Sequence, residues 1–140
     1  QSGWCYFYAN APVVIASKLQ RCVVLSATES ELVALSAAAC DGAWLRMLLA
    51  EFGCCPKGPT KLFCDNTGAR AVAEDPRSEK SLKHVARRHF FVQDLVKAGE
   101  IAVPGVASNN NMADLLTKVI HSTPRFEFLA SMYRSWTTAT

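Results

Sequence analysis

The feature that most constrains this chain is one uninterrupted helical pattern between residues 26 and 53. Ser26 stands three residues before Glu29, and Thr28 three before Glu31. Either pair meets the capping-box pattern, in which a hydroxyl and a carboxylate close the open N–H groups of a helix start. Leu32, Leu35, Ala39 and Ala43 follow at helical spacing, then Leu45, Leu48, Leu49 and Phe52, and Gly53 tolerates the left-handed stop. The spacing predicts a helix of about seven turns at 3.6 residues each.

Strand-like segments flank this helix. Residues 4–8 and 13–15 are aromatic and β-branched, and Ala9-Asn10-Ala11-Pro12 between them carries turn chemistry, which predicts an antiparallel hairpin. A third short strand is expected over residues 22–25, and residues 60–64 alternate like another. Asp65-Asn66 opens a helix through Ala73 that Asp75-Pro76 ends. Residues 77–89 form a basic start to a helix carrying Phe90, Phe91, Val92, Leu95 and Val96 before Gly99. A strand over 101–106 follows, then the polar Asn109-Asn110-Asn111, which can cap a short helix over 112–119. A last helix has Pro124 in its first turn and uses Phe126, Leu129, Met132 and Tyr133, with a loose end from residue 137. This order, without repeats or low-complexity tracts, predicts an α/β or α+β fold: helices packed on a mixed sheet.

Composition narrows the class. At 140 residues, 50% hydrophobic and 19% charged, the chain is a single globular domain rather than a disordered one. Such a domain buries about two-thirds of its unfolded surface, so neither disulfides nor a structural metal are needed. The formal charge of +3 is a mild lean toward anionic partners. The six cysteines, at 5, 22, 40, 54, 55 and 64, show no Cys-x-x-Cys spacing, and no secretory leader is visible. Free thiols in a reducing intracellular setting are expected. No apolar run is expected to reach the roughly 20 residues of a membrane span, because Asp41, Gly42 and Arg46 interrupt the alanine-rich stretch. No membrane partner is expected. The opening at Gln1, without Met, reads like a cut piece of something longer.

Three acids stand at element boundaries: Glu31 near the start of the long helix, Asp65 at the end of a strand, and Asp114 at the start of a late helix. Carboxylates gathered there suit magnesium, and two such ions about 4 Å apart activate water and stabilise the leaving oxygen of a phosphodiester. The plainer reading makes all three helix-capping acids. His84 and His89 have a zinc-finger-like interval, but the cysteine half of such a site is missing. The basic run holds Arg77, Lys80, Lys83, Arg87 and Arg88 against Glu79, and either grips phosphates or is a solvated helix face. Trp4 and Trp44 are read as core residues.

The segments Ser2-Gly3-Trp4, Ser17-Lys18-Leu19-Gln20, Leu25-Ser26-Ala27-Thr28-Glu29-Ser30-Glu31-Leu32-Val33-Ala34-Leu35, Ala43-Trp44-Leu45-Arg46, Phe63-Cys64-Asp65-Asn66, Lys83-His84 and Met112-Ala113-Asp114-Leu115-Leu116-Thr117-Lys118 together resemble one family. It is the ribonuclease H domain of copia-type long-terminal-repeat retrotransposon polyproteins, and the resemblance spans residues 1 to about 130 in the family's order. It implies a ribonuclease H-like mixed sheet flanked by helices over 1–120, with a C-terminal helix and tail over 121–140. It implies that Glu31, Asp65 and Asp114 are ligands of two Mg2+ ions, with Mn2+ as a substitute, that hydrolyse the RNA strand of an RNA·DNA hybrid. Glu31 is preferred to Glu29 because Leu32-Val33-Ala34-Leu35 aligns with the family pattern; the other register makes Glu29 the ligand. Lys83, Arg87, Arg88 and Asn66 are the expected nucleic-acid contacts. A reverse transcriptase domain upstream in the same polyprotein is the implied partner, and cytoplasmic virus-like particles and the nucleus are the implied locations.

The chain departs from the pattern in two places. The family's first-strand Asp has no counterpart here, so that strand is expected to be missing and the chain to cleave hybrid slowly or not at all. Ala86 stands where the family usually carries an acid; that nothing resembling the mobile His of cellular ribonucleases H lies between Val106 and Asp114 is compatible with the family. A degenerate copy that folds or binds nucleic acid without hydrolysis is the alternative. If the basic run grips phosphates, Arg87→Ala with Arg88→Ala lowers the salt-dependence slope of hybrid binding by about 0.9 or less for each phosphate no longer neutralised. An unchanged slope in a filter-binding titration returns the run to a solvated face.

Overall fold

The computed structural model describes residues 1–21, 23–74 and 86–134, of which 86–89 by backbone only. Strands and helices are mixed in an α+β fold, and the chain divides into two compact units, residues 1–22 with 106–140 and residues 23–105.

The first unit begins with the expected hairpin. Ala9 and Asn10 have φ of 49° and 64°, the left-handed pair of a two-residue turn whose twist matches its strands. Strand β1 (Ser2–Tyr8) therefore runs antiparallel to β2 (Ala11–Lys18), from Ser2 opposite Lys18 to Tyr8 opposite Ala11, with an irregularity between Tyr6 and Phe7. Alternation sends Ser2, Trp4 and Tyr6 of β1 inward, whereas Val13 and Ile15 of β2 are 46% and 54% exposed. The Lys18 ammonium lies 4.9 Å from the Trp4 ring centre, a cation–π contact. Against β1 packs a short 3-10 helix (Met112–Leu116), and α4 (Thr123–Arg134) packs on that helix with Leu129 fully buried. Tyr133 of α4 donates to the Met112 carbonyl at 3.2 Å, and its ring sits 5.9 Å from that of Phe7.

The second unit is built on α1 (Ala27–Glu51). Its stop is the expected glycine: Gly53 at φ 68° lets Cys54 N–H reach the Leu49 carbonyl and Gly53 N–H that of Ala50, the paired bonds of a Schellman motif. Strands β3 (Thr60–Lys61) and β4 (Ile101–Ala102) pair in parallel, joined by a crossover that carries α2 (Thr67–Glu74) and α3 (Ala86–Lys97). Both helices pack against α1. Leu32, Val33, Leu35, Ala38, Ala39, Val72, Val92 and Ile101 fill the core between them. Inside it the Gln93 amide donates to the Val72 carbonyl at 2.9 Å, satisfying a buried polar group.

Several expectations are corrected. Residues 23–25 are not a strand, and Val23 and Leu25 are 92% and 83% exposed, because the Leu25 N–H that a ladder would use goes to the Glu29 carboxylate instead. Trp44 and Phe126 face solvent rather than the core. The short helix that begins at residue 112 is a 3-10 helix and ends at Leu116, short of residue 119. By length and composition α1 is apolar enough to cross a membrane, contrary to the expectation that no stretch is; the core helix of a soluble protein meets the same criterion, and α1 buries seven residues here. Cys22, the Asp75-Pro76 stop, the start of the basic run with Lys83 and His84, and the tail from residue 135 lie outside the described residues, as do the side chains of Arg87, Arg88 and His89.

Gly3 is where β1 and the 3-10 helix meet. A Cβ there would lie 2.7 Å from both Leu116 Cβ and Thr117 Cγ2. Gly3→Ala should therefore cost about 1–3 kcal/mol, the usual penalty of overpacking, read as a lower urea midpoint at unchanged slope. An unaltered midpoint would mean that the two elements separate freely.

Candidate metal centre

The cap of α1 decides which glutamate is presented. Ser26 Oγ accepts from Glu29 N–H at 3.1 Å, and the Glu29 carboxylate accepts from Leu25 N–H at 2.6 Å. Glu29 is thereby held at the helix start, closing otherwise open N–H groups. Glu31 lies two residues further on, in the second turn.

The strand end comes to it through the parallel ladder. Bonds run from Thr60 N–H to Glu100 O, Leu62 N–H to Ala102 O and Cys64 N–H to Pro104 O, at 2.8, 2.8 and 3.0 Å, so pairing continues beyond β3 to Cys64. Alternation then buries Leu62 and Cys64 and exposes Lys61 and Phe63. Asn66 turns the chain into α2, its Oδ1 accepting from Ala69 N–H at 2.9 Å as a helix cap. The first turns of α1 and α2 meet at Gly68, where a Cβ would stand 3.1 Å from Thr28 Oγ1. Glycine permits this approach, and it draws Glu31 toward the strand end.

The result is a three-residue cluster. Ligand atoms of Glu31, Cys64 and Asp65 all lie within 4.8 Å of one another, with Cys64 buried and both carboxylates half-buried. Burial pushes the Cys64 thiol up, the nearby Glu31 and Asp65 charges push it further, and its bond to the Asn66 carbonyl and the Arg70 charge offset part of this. Arg70 is anchored by its Nε–H to the Val103 carbonyl at 3.3 Å, its guanidinium against Gly105. Hard oxygen donors of this kind fit a divalent cation.

Asp114 belongs to the other unit. Asn111 Oδ1 accepts from Ala113 N–H at 3.1 Å, capping the 3-10 helix that carries it. The Asp114 carboxylate is buried and paired with two cations: Lys118 Nζ, one turn on, at 2.9 Å, and the Arg125 guanidinium of α4. Arg125 also donates to the Ser108 carbonyl at 2.9 Å. These groups neutralise a charge that would otherwise be costly to bury.

Of the residues expected to act, Glu31 and Asp65 are brought together, Asp114 carries its own ion pairs, and Asn66 is engaged as a cap. Cys64, Arg70, Lys118 and Arg125 are not expected from the sequence at either place. The inward phase of Cys64 follows from the alternation at residues 60–64, and Lys118 stands four residues after Asp114, a spacing that places both on one helix face. No comparable sequence signal points to Arg125.

The relatives of this chain are retrovirus-related Pol polyproteins of transposons, and the chain is homologous to one segment of them. The Pol polyprotein from transposon RE1 of Arabidopsis thaliana is 30% identical over 122 residues, 87% of this chain and 8% of that protein. That from transposon RE2 of the same plant is 31% identical over 117 residues, 84% of this chain and 8% of the polyprotein. That from transposon TNT 1-94 of Nicotiana tabacum is 30% identical over 127 residues, 91% of this chain and 9% of its own length. The chain thus spans under a tenth of the curated relatives it matches. No family model matches it, and no solved structure does.

Arg125→Ala removes one of two partners from a buried carboxylate and should destabilise the chain by about 1.5–3 kcal/mol, the range for hydrogen bonds to charged groups. Urea denaturation reads this, and Arg125→Lys should recover part of it. A loss no larger than a surface substitution, under about 0.5 kcal/mol, would show that Lys118 suffices.

Proposed function

We propose that this chain is the ribonuclease H domain of a copia-type retrotransposon polyprotein, hydrolysing the RNA strand of RNA·DNA hybrids during reverse transcription. The observation that carries the reading is the convergence of Glu31 and Asp65 beside a strand end. Its support is the similarity to Pol polyproteins together with the motif order around both acids.

In this reading Glu31 and Asp65, with Asp114, hold Mg2+ in place of a purely structural role. Bound there, two magnesium ions would supply an activated water and charge stabilisation at the leaving oxygen. The residues of the chain do the rest. Asn66, whose Oδ1 is committed to the α2 cap, retains its amide N–H groups as donors for a phosphate. Arg70 sets positive charge near Cys64, the neighbour of both carboxylates. Arg125 and Lys118 neutralise Asp114, and they would have to yield its carboxylate to a cation. Lys83, Arg87 and Arg88 grip the hybrid's backbone. A reverse transcriptase domain of the same polyprotein supplies the hybrid, inside a cytoplasmic particle or the nucleus.

The second reading, a non-catalytic relic, is favoured by that occupied Asp114 carboxylate and by Ala86. Manganese binding, monitored by loss of the free-ion electron paramagnetic signal, separates the two. The enzyme reading expects binding that Glu31→Gln and Asp65→Asn each weaken by more than the about 10- to 100-fold that an outer-shell change costs. It also expects very slow cleavage of labelled hybrid, or none, by the chain alone, and magnesium-dependent cleavage once a strand carrying an Asp is fused before Gln1. Asp65→Asn in that extended form should abolish cleavage. Absence of manganese binding, or activity retained by Asp65→Asn, refutes it.

A further inference from the structure

We propose that Glu31, Cys64 and Asp65 form a mixed oxygen–sulfur site at which a thiophilic divalent cation, zinc or cadmium, displaces magnesium or manganese. The proposal rests on the carboxylate-site reading above and adds a specificity that reading does not contain. Its basis is the third member of the cluster. Magnesium takes oxygen ligands and leaves a thiol unused, whereas softer cations prefer thiolate, so the same three residues rank the two kinds of ion in opposite order.

The geometry suits one ion. Ligand bonds of about 2.0–2.3 Å in a tetrahedral arrangement set ligand atoms about 3.3–3.8 Å apart. The observed separations, within 4.8 Å, require a closure of about an ångström, within reach of side-chain rotation by two half-buried carboxylates. The sulfur is the fixed member. Its backbone is held in the parallel ladder by Cys64 N–H to Pro104 O at 3.0 Å, and its thiol lies 3.7 Å from the Asn66 carbonyl. Glu31 and Asp65 are partly open to solvent, which gives an ion its approach. Binding replaces the S–H bond with a sulfur–metal bond and releases one proton, so no oxidant or reductant is involved.

The test is a cadmium titration of the full chain, read by the ultraviolet charge-transfer absorption of cadmium–thiolate bonds. Because Cys54 and Cys55 are exposed neighbours able to bind cadmium themselves, it is run in a Cys54→Ser/Cys55→Ser background. That form should keep a saturable signal, Cys64→Ser should remove it, and Glu31→Gln, a half-buried site less apt to disturb folding, should weaken it about tenfold or more. In parallel, cadmium should release bound manganese at concentrations about tenfold lower than it does from Cys64→Ser. Circular dichroism confirms that each variant is folded. Manganese binding with no Cys64-dependent cadmium signal overturns this proposal alone. Failure of every form to bind manganese overturns the carboxylate reading, and the displacement proposed here with it.

Discussion

A parallel pair of strands cannot be closed by a hairpin, and the second unit follows from that constraint. The ladder between residues 60–64 and 100–105 requires a crossover, and α2 and α3 are what the crossover carries. Since the ladder persists to Cys64, the chain leaves it at Asp65 and must turn at once into α2, which Asn66 caps. The glycine at position 68 then allows that turn to lie against Thr28. Two acids 34 positions apart in sequence meet because a strand end, a cap and a glycine leave them nowhere else to go.

How much of this is legible in the sequence depends on whether a signal is local. The Ser26–Glu29 box, the Gly53 stop, the hairpin turn and the Asn66 cap are all readable, because each is settled by backbone and side-chain groups within a few residues. Residues 23–25 have strand composition, yet composition does not reveal that the Leu25 N–H is taken by Glu29. Trp44 departs from expectation for a related reason. An alanine-rich helix can bury its small residues and leave a large one outside, and periodicity alone does not say which face wins.

The candidate site divides in the same way. The acids at element ends are visible as positions, and the cap engages Glu29 whereas Glu31 lies beside Cys64 and Asp65. The inward phase of Cys64 is readable too, but a cysteine's spacing to other cysteines and histidines says nothing of carboxylates brought beside it by a crossover. The partnership of Asp114 with Arg125 depends on how α4 folds back within its unit, a tertiary fact that no local pattern encodes.

The hairpin has a consequence of a different kind. Among the described residues each strand pair has only two members, so every strand keeps one row of backbone N–H and C=O groups outside its ladder. Such rows are templates for pairing with other chains, and proteins blunt them with charge, bulges or cover. On β2 the row runs beside exposed Val13 and Ile15, with Lys18 alone supplying charge at the far end. That edge, with Val13 and Ile15 beside it, offers another strand a place to pair, independently of how firmly either unit is folded.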